Sequence, residues 1–326
     1  MMVHGGETPG GEAPGGEAPL GVLNIDKPGG LTSHDVVARV RRLSGERRVG
    51  HAGTLDPLAT GVLVVCVGRA TRIIEYLTDT QKAYRATIRL GVTTDTWDAQ
   101  GQILDERDWR GLERAEIEAA LARFRGRIQQ VPPMFSALKH EGQPLYRLAR
   151  RGVQIERPPR SVEIYALRLL DWRPPELEIE VECSKGTYIR ALAHDLGEVL
   201  GCGAHLAALT RLAMGHFTLD EAVPLATLEE DAARGNWRRR LIPLHTALAH
   251  LPSVTVDEQQ AQQIVFGQAV ALSVHNDLDR DHQPAIICAY DNQRRLVAIL
   301  RPADVQGFWQ PHKVLAVTGP EPDHHP

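Results

Sequence analysis

The sequence predicts an α+β fold ending in a small β-barrel-like unit, on two observations. Strand-like and helix-like segments come in runs rather than in a regular βαβ alternation. Several short strand candidates crowd the roughly 65 residues after Leu251, as in a small barrel.

Taken in order, residues 1–19 repeat Gly, Pro and Glu. Such a segment cannot bury enough apolar surface to offset its ordering entropy, so a disordered tail is expected. From residue 20 a compact pattern begins. GVLNID reads as a buried strand and KPGG as a turn. Thr32 and Asp35 stand at capping-box spacing before Val36, Val37, Val40 and Leu43, which predicts a helix. VLVVCVG predicts a buried strand, and the alternation of KAYRATIRLG another. Residues 113–124 read as an amphipathic helix, and 130–160 as an exposed Pro- and Arg-rich insertion. Strands follow near 162–170 and 177–183, then the helix TYIRALAHDLGEVLG. GCGAHL at 201–206 resembles a dinucleotide loop, but Leu206 replaces the third glycine; a helix C-terminal turn is expected. The first unit spans 20–250 and the second 251–318, with a helix at 257–266. Its strand candidates are Ala269–Val274, Ala285–Tyr290, Leu296–Leu300 and Lys313–Val317. A disordered tail, 319–326, closes the chain.

Composition excludes several classes of function. Cys66, Cys183, Cys202 and Cys288 form no C-x-x-C pair, so neither a disulfide framework nor a zinc knuckle is expected, and a reducing, cytoplasmic setting fits. No apolar run reaches the ~18 residues of a membrane span, so no membrane partner is expected. Asp277, Asp279 and Asp281 begin like a calcium loop, but His282 stands at the turn-glycine position and Cys288 at the final glutamate. No metal site is expected there. P-loop and G-x-S-x-G motifs are absent, and no cofactor is expected.

The formal charge of −4 is unevenly spread. Glu7, Glu12, Glu17, Glu321 and Asp323 lie in the tails. Within 123–160, Arg123, Arg125, Arg127, Lys139, Arg147, Arg150, Arg151, Arg157 and Arg160 face only Glu141 and Glu156. Such a concentration suits a polyanion such as RNA, or else a helix face with acidic partners distant in sequence.

The stretch GHAGTLDPLATG, residues 50–61, holds a lone carboxylate: Asp56 is the only acidic residue between Glu46 and Glu75. The residue before a proline is extended or in a turn. Asp56 is therefore an Asx-turn acceptor or a reagent. As nucleophile or base it needs a cation to keep it ionised in a dry pocket. Arg190, in CSKGTYIRAL, is the candidate cation, because a strand ending at Cys183, a Lys-Gly turn and a helix start would aim it into a cleft. It is otherwise an ordinary helix-surface arginine. Tyr84, on an alternating strand, either fills the core or offers a stacking face to an unpaired base.

With these pieces together, the chain resembles the TruB family of bacterial tRNA pseudouridine synthases from about Gly21 to Thr318. NIDKPGGLTSHD, GHAGTLDPLATGVL, LGVTTDTWDAQG, PPMFSALKHEGQPLYRLARRG and CSKGTYIRALAHDLG match family segments in the family's order. The resemblance implies a catalytic domain with a mixed, largely antiparallel sheet and flanking helices, then a PUA-like RNA-binding domain. It implies isomerisation of uridine to pseudouridine at position 55, in the T arm of tRNA, after the base is flipped out. Asp56 would be the essential aspartate, Arg190 its partner, and Tyr84 would pack on the base and assist proton transfer. His51 would sit in the RNA-facing loop, and Lys27, Lys139, Arg150 and Arg151 would contact RNA. A monomer acting on tRNA without a protein partner is expected. Two rival readings remain: a guide-RNA-dependent pseudouridine synthase, and an RNA-folding protein whose catalysis is dispensable.

Overall fold

The computed structural model describes residues 20–273 and 284–316, apart from residues 137, 141, 150 and 154. The two tails, Arg150 and the aspartates at 277, 279 and 281 lie outside the described residues.

A ten-stranded mixed sheet organises residues 21–224. Its strands include β1 (Gly21–Lys27), β2 (Val49–Ala52), β3 (Thr60–Val67) and β4 (Lys82–Leu90). The order across the sheet is Val223–Pro224, β1, β3, Ala204–Met214, β4, Glu176–Cys183, Arg160–Arg173, Gly126–Gln130, with β2 beside β3. Pairing is antiparallel at most edges. Ala204–Met214 is parallel to β3, and Val223–Pro224 is parallel to β1.

The near-continuous apolar run of β3 follows from burial on both faces. Leu63, Val65 and Val67 join one core with Val36, Val37 and Val40 of helix α1 (Ser33–Ser44), and with Leu192 and Leu196 of the helix Ile189–Leu200. Val62, Val64 and Cys66 join a second core on the other face, with Ile73, Leu77, Leu244 and Leu248.

Helix α1 starts where the Thr32–Asp35 spacing predicts. The capping box is formed, and Gly45 ends the helix in the left-handed conformation. The expected helix at 113–124 is Arg114–Ala122.

The C-terminal sheet has five strands, ordered Ser253–Thr255, Ile287–Tyr290, Leu296–Pro302, Phe308–Val314, Val270–Ala271. One face covers helix Glu258–Val265, and Cys288, Leu296 and Ile299 on the other join the second core of the main sheet. The last strand begins earlier than its apolar signal: Phe308–Gln310 pair before Lys313, and the strand ends at Val314. No helix among the described residues is long and apolar enough to cross a membrane.

Candidate active site

The loop between β2 and β3 carries Asp56. Leu55 and Ala59 are buried in the first core and anchor the loop on both sides of the aspartate. The buried hydroxyl of Ser33, at the start of α1, accepts from Leu55 N at 2.8 Å and donates to Leu55 O at 3.1 Å. Pro57 O accepts from Gly30 N at 2.8 Å. Asp56 O closes the turn by accepting from Ala59 N at 3.0 Å. The Asp56 carboxylate takes no part in the turn: among the described residues its direct partner is Arg190, not a backbone N–H.

Arg190 lies in the first turn of helix Ile189–Leu200. The entry to that helix is clamped by Gln130, which donates to Tyr188 O at 3.0 Å and accepts from Tyr188 N at 2.8 Å. The guanidinium is buried, 4% exposed. Nη2 donates to Asp56 Oδ1 at 3.1 Å, and Nε stands 2.9 Å from Oδ2, off the axis of a hydrogen bond. Nη2 also donates to Phe135 O at 2.7 Å, and Nη1 to Thr96 O at 3.2 Å. Asp98 is a second carboxylate 3.5 Å from Nη1. It is itself fixed by the Thr96 hydroxyl at 2.7 Å and Gln100 N at 3.0 Å. The charge is thus held by two acids and two carbonyls, and the side chain has little freedom left.

Asp56 keeps 32% of its side chain exposed while Arg190 is buried, so a ligand meets the pair at the carboxylate. Desolvation pushes its carboxyl above the ordinary aspartate range, and Asp98 adds to the push. Arg190 and Lys27 pull against it.

Tyr84 is buried on the core face of β4, next to the same loop. Burial raises its phenol, while Arg211 opposes that rise. His51 lies on β2 with its ring edge-on to His34, centroids 5.3 Å apart. Burial lowers His51 to about 4, with His34 and Arg211 adding to the shift. The ring is therefore neutral at physiological pH.

Lys27 differs from its expected role. It is fully buried, with Nζ donating to Pro28 O at 2.9 Å and Leu31 O at 2.7 Å. Burial lowers it to about 8, against the pull of Asp56. A side chain so enclosed acts on the loop through its field and does not reach a phosphate.

The basic segment separates into two groups. Arg125 donates to Leu167 O at 3.1 and 2.9 Å. Arg157 donates to Pro132 O at 3.1 Å and lies over the Trp97 ring, whose other partner is the stacked ring of His194. These two hold the insertion to the core. Arg123, Arg127, Arg147, Arg151 and Arg160 are exposed and, among the described residues, pair with no carboxylate. Among the described residues, distant acids therefore do not neutralise these five arginines. Lys139 lies in the short hairpin Lys139–His140 with Gln143–Pro144, and Arg150 is outside the described residues.

Sequence reasoning assigned no role to Asp98 or Arg211. Asp98 sits in TDTWDAQG, whose five polar residues before the glycine look like an ordinary turn. Arg211 looks like an interruption in an apolar strand, and that interruption is the signal that could have found it.

Comparison with known proteins gives a concordant picture. Residues 41–189 match the family model described as TruB family pseudouridylate synthase (N terminal domain), and 190–249 match the tRNA pseudouridylate synthase B C-terminal domain. The chain is 46% identical over 303 residues to the tRNA pseudouridine synthase B of Dehalococcoides mccartyi strain CBDB1, covering 93% of this chain and 99% of that one. It is 53% identical over 254 residues to the protein of the same name from Gloeobacter violaceus, covering 77% and 86%. Among solved structures, a crystal structure of a Cbf5-Nop10-Gar1 complex is similar at 28% identity and TM-score 0.68, covering 87% of this chain and 78% of that one.

Proposed function

The chain belongs to the TruB family of pseudouridylate synthases, and from that membership we propose that it converts uridine to pseudouridine at position 55, in the T arm of tRNA, with Asp56 as the essential carboxylate. The observation that carries the proposal is the Asp56–Arg190 pair, its guanidinium buried and its carboxylate partly exposed.

The reaction is an isomerisation. The C–N glycosidic bond breaks, the uracil turns, and a C–C bond forms to the same sugar carbon. One proton leaves the ring carbon and one is gained at the freed nitrogen, so nothing is oxidised. Asp56, as nucleophile or as base, must be ionised when the base arrives. Arg190 meets that need because a guanidinium keeps its charge throughout the working pH range. Asp98, Thr96 O and Phe135 O aim it. Tyr84 offers the ring against which the base packs and a phenol for the proton transfer.

Extruding the base costs a few kcal/mol, and phosphate contacts offset it. The exposed arginines of 123–160 supply such contacts, with Lys139, Arg150 and Arg151 next to the T arm. His51, neutral and edge-packed, supports the extruded base. Residues 20–250 act as the catalytic domain and 251–318 as a PUA-like RNA-binding domain, in a monomer working in the cytoplasm without a protein partner.

A guide-dependent synthase is the closest alternative, since the fold is shared with a Cbf5-Nop10-Gar1 complex. The higher identity lies with proteins named tRNA pseudouridine synthase B. The test is incubation of the purified protein with a bare, unmodified tRNA transcript, followed by mapping of pseudouridine. Modification at position 55 alone, without guide RNA, is expected. Modification elsewhere, or dependence on a guide, would overturn the proposal.

A further inference from the structure

Resting on that reading, we infer that Arg211 is a positioning residue for the isomerisation: one buried guanidinium fixes both ends of the Asp56 loop and the phenol of Tyr84 in a single arrangement.

Arg211 is 1% exposed, among the largest fully buried side chains of the protein. Among the described residues it pairs with no carboxylate. Its partners are backbone carbonyls: Nε donates to Val62 O at 2.6 Å and Nη2 to Gly53 O at 3.1 Å. Gly53 and Val62 bracket the loop that carries Asp56, so this one side chain closes the loop at both ends. The sheet explains why a side chain is needed there. The parallel ladder between β3 and Ala204–Met214 is confined to Thr60–Thr210 and Gly61–Arg211. Val62 O lies just past the last rung, where a buried carbonyl would otherwise lack a donor. The approach is close enough to demand glycine at residue 61: a Cβ there would lie 2.3 Å from Arg211 O, and its φ is +93°.

The same residue faces the opposite strand. Arg211 is directly across from Tyr84 in the antiparallel pair with β4, and a bulge follows immediately, between Arg211 and Ala213. Directly opposed side chains touch, and a bulge re-aims its neighbours. The titratable groups whose fields reach the phenol are Arg211, Cys183 from the next strand and Asp56 from the loop. The charge of Arg211 pulls the phenol back from the rise that burial imposes. Lys27, Lys82 and His51 feel the same charge.

A neutral amide could bridge two carbonyls. Burying an arginine with no acid beside it is unfavourable, so the charge points to the reaction rather than to the fold. It draws the phenol toward a state able to exchange a proton, while its other bonds hold the loop that carries the carboxylate.

The experiment is a comparison of Arg211→Gln and Arg211→Lys with wild type, alone and combined with Tyr84→Phe. Single-turnover pseudouridine formation is followed across the pH range, with tRNA binding measured in parallel. Arg211→Gln is expected to slow turnover about a hundredfold, the size of effect that a small misplacement of reacting groups produces, while tRNA binding is retained. The alkaline limb of its pH profile is expected to move upward, and most of its effect is expected to vanish when Tyr84 is already Phe. If Arg211→Gln does not fold, Arg211→Lys carries the test through the same cycle, with a smaller limb shift because its charge remains. Wild-type turnover in the variants would overturn the inference. So would a loss undiminished by Tyr84→Phe with an unmoved pH profile, which marks a purely structural residue. Failure of wild type to modify tRNA would instead overturn the functional reading beneath it.

Discussion

Asp56 and Arg190 are 134 residues apart in the chain and in contact in the fold. The carboxylate was legible because its loop has no other acid and ends in glycines; the cation was legible because a strand, a turn and a helix start frame it. Neither clue gives the distance between them. Asp98, which shares the arginine, was hidden because a side chain hydrogen-bonded within its own turn looks like turn chemistry. Replacing Arg190 by Lys retains charge but loses the fork that reaches Asp56, Thr96 O and Phe135 O together. Single-turnover assays are expected to show at least a hundredfold loss, on the order of one lost transition-state donor. The pH dependence follows from the carboxyl. Its folded-state value is raised, so the proton is held more tightly folded than unfolded. The stability it lends at low pH is lost as pH rises through the raised value, and activity grows over the same interval. The acid limb of activity is expected above the ordinary aspartate range. Lys27→Met removes a cation that pulls the carboxyl down, so this limb should move to still higher pH. Binding of tRNA should be unchanged, because Lys27 is enclosed. A pH–rate profile with a binding curve checks both.

The elements themselves were largely readable where local chemistry and burial agree. The capping box of α1 and the apolar run of β3 are examples. Ala204–Met214 was missed, although it is central to the sheet. Gly201 and Gly203 precede it and look like the end of the previous helix, as they are. His205 and Arg211 then break its hydrophobic pattern. Its strand character comes from neighbours on both sides, which no local window contains. The start of α1 does double duty, since Ser33 caps no helix group but holds Leu55 at both backbone atoms. Ser33→Ala leaves a buried N–H without its partner, a loss of about 1–3 kcal/mol. Chemical denaturation should show that loss, and turnover should fall as the loop loosens. An unchanged midpoint would contradict the anchoring role.

At the scale of the whole molecule, the main sheet is buried on both faces at β1 and β3 and on one face at β4 and Arg160–Arg173, and the C-terminal sheet shares the second core. The residue counts of the sequence could suggest two units but not which face of the first receives the second. Charge shows the same limit. The basic excess of 123–160 was visible, while the division of its arginines into internal anchors and exposed groups needed coordinates. Arg151 belongs to the exposed group. Arg151→Glu is therefore expected to weaken tRNA binding and flatten the dependence of log affinity on log salt, with little change in the rate of bound complexes. A salt titration of binding, with an unchanged slope, would remove Arg151 from the RNA contact.

Asp56, paired with the buried Arg190, is the one carboxylate proposed to meet an incoming nucleoside. The most direct measurement is single-turnover pseudouridine formation by Asp56→Asn, a near-isosteric change, with tRNA affinity determined on the same preparation. No product with affinity within a few-fold of wild type is the expected result. Pseudouridine formed by that variant would contradict the account.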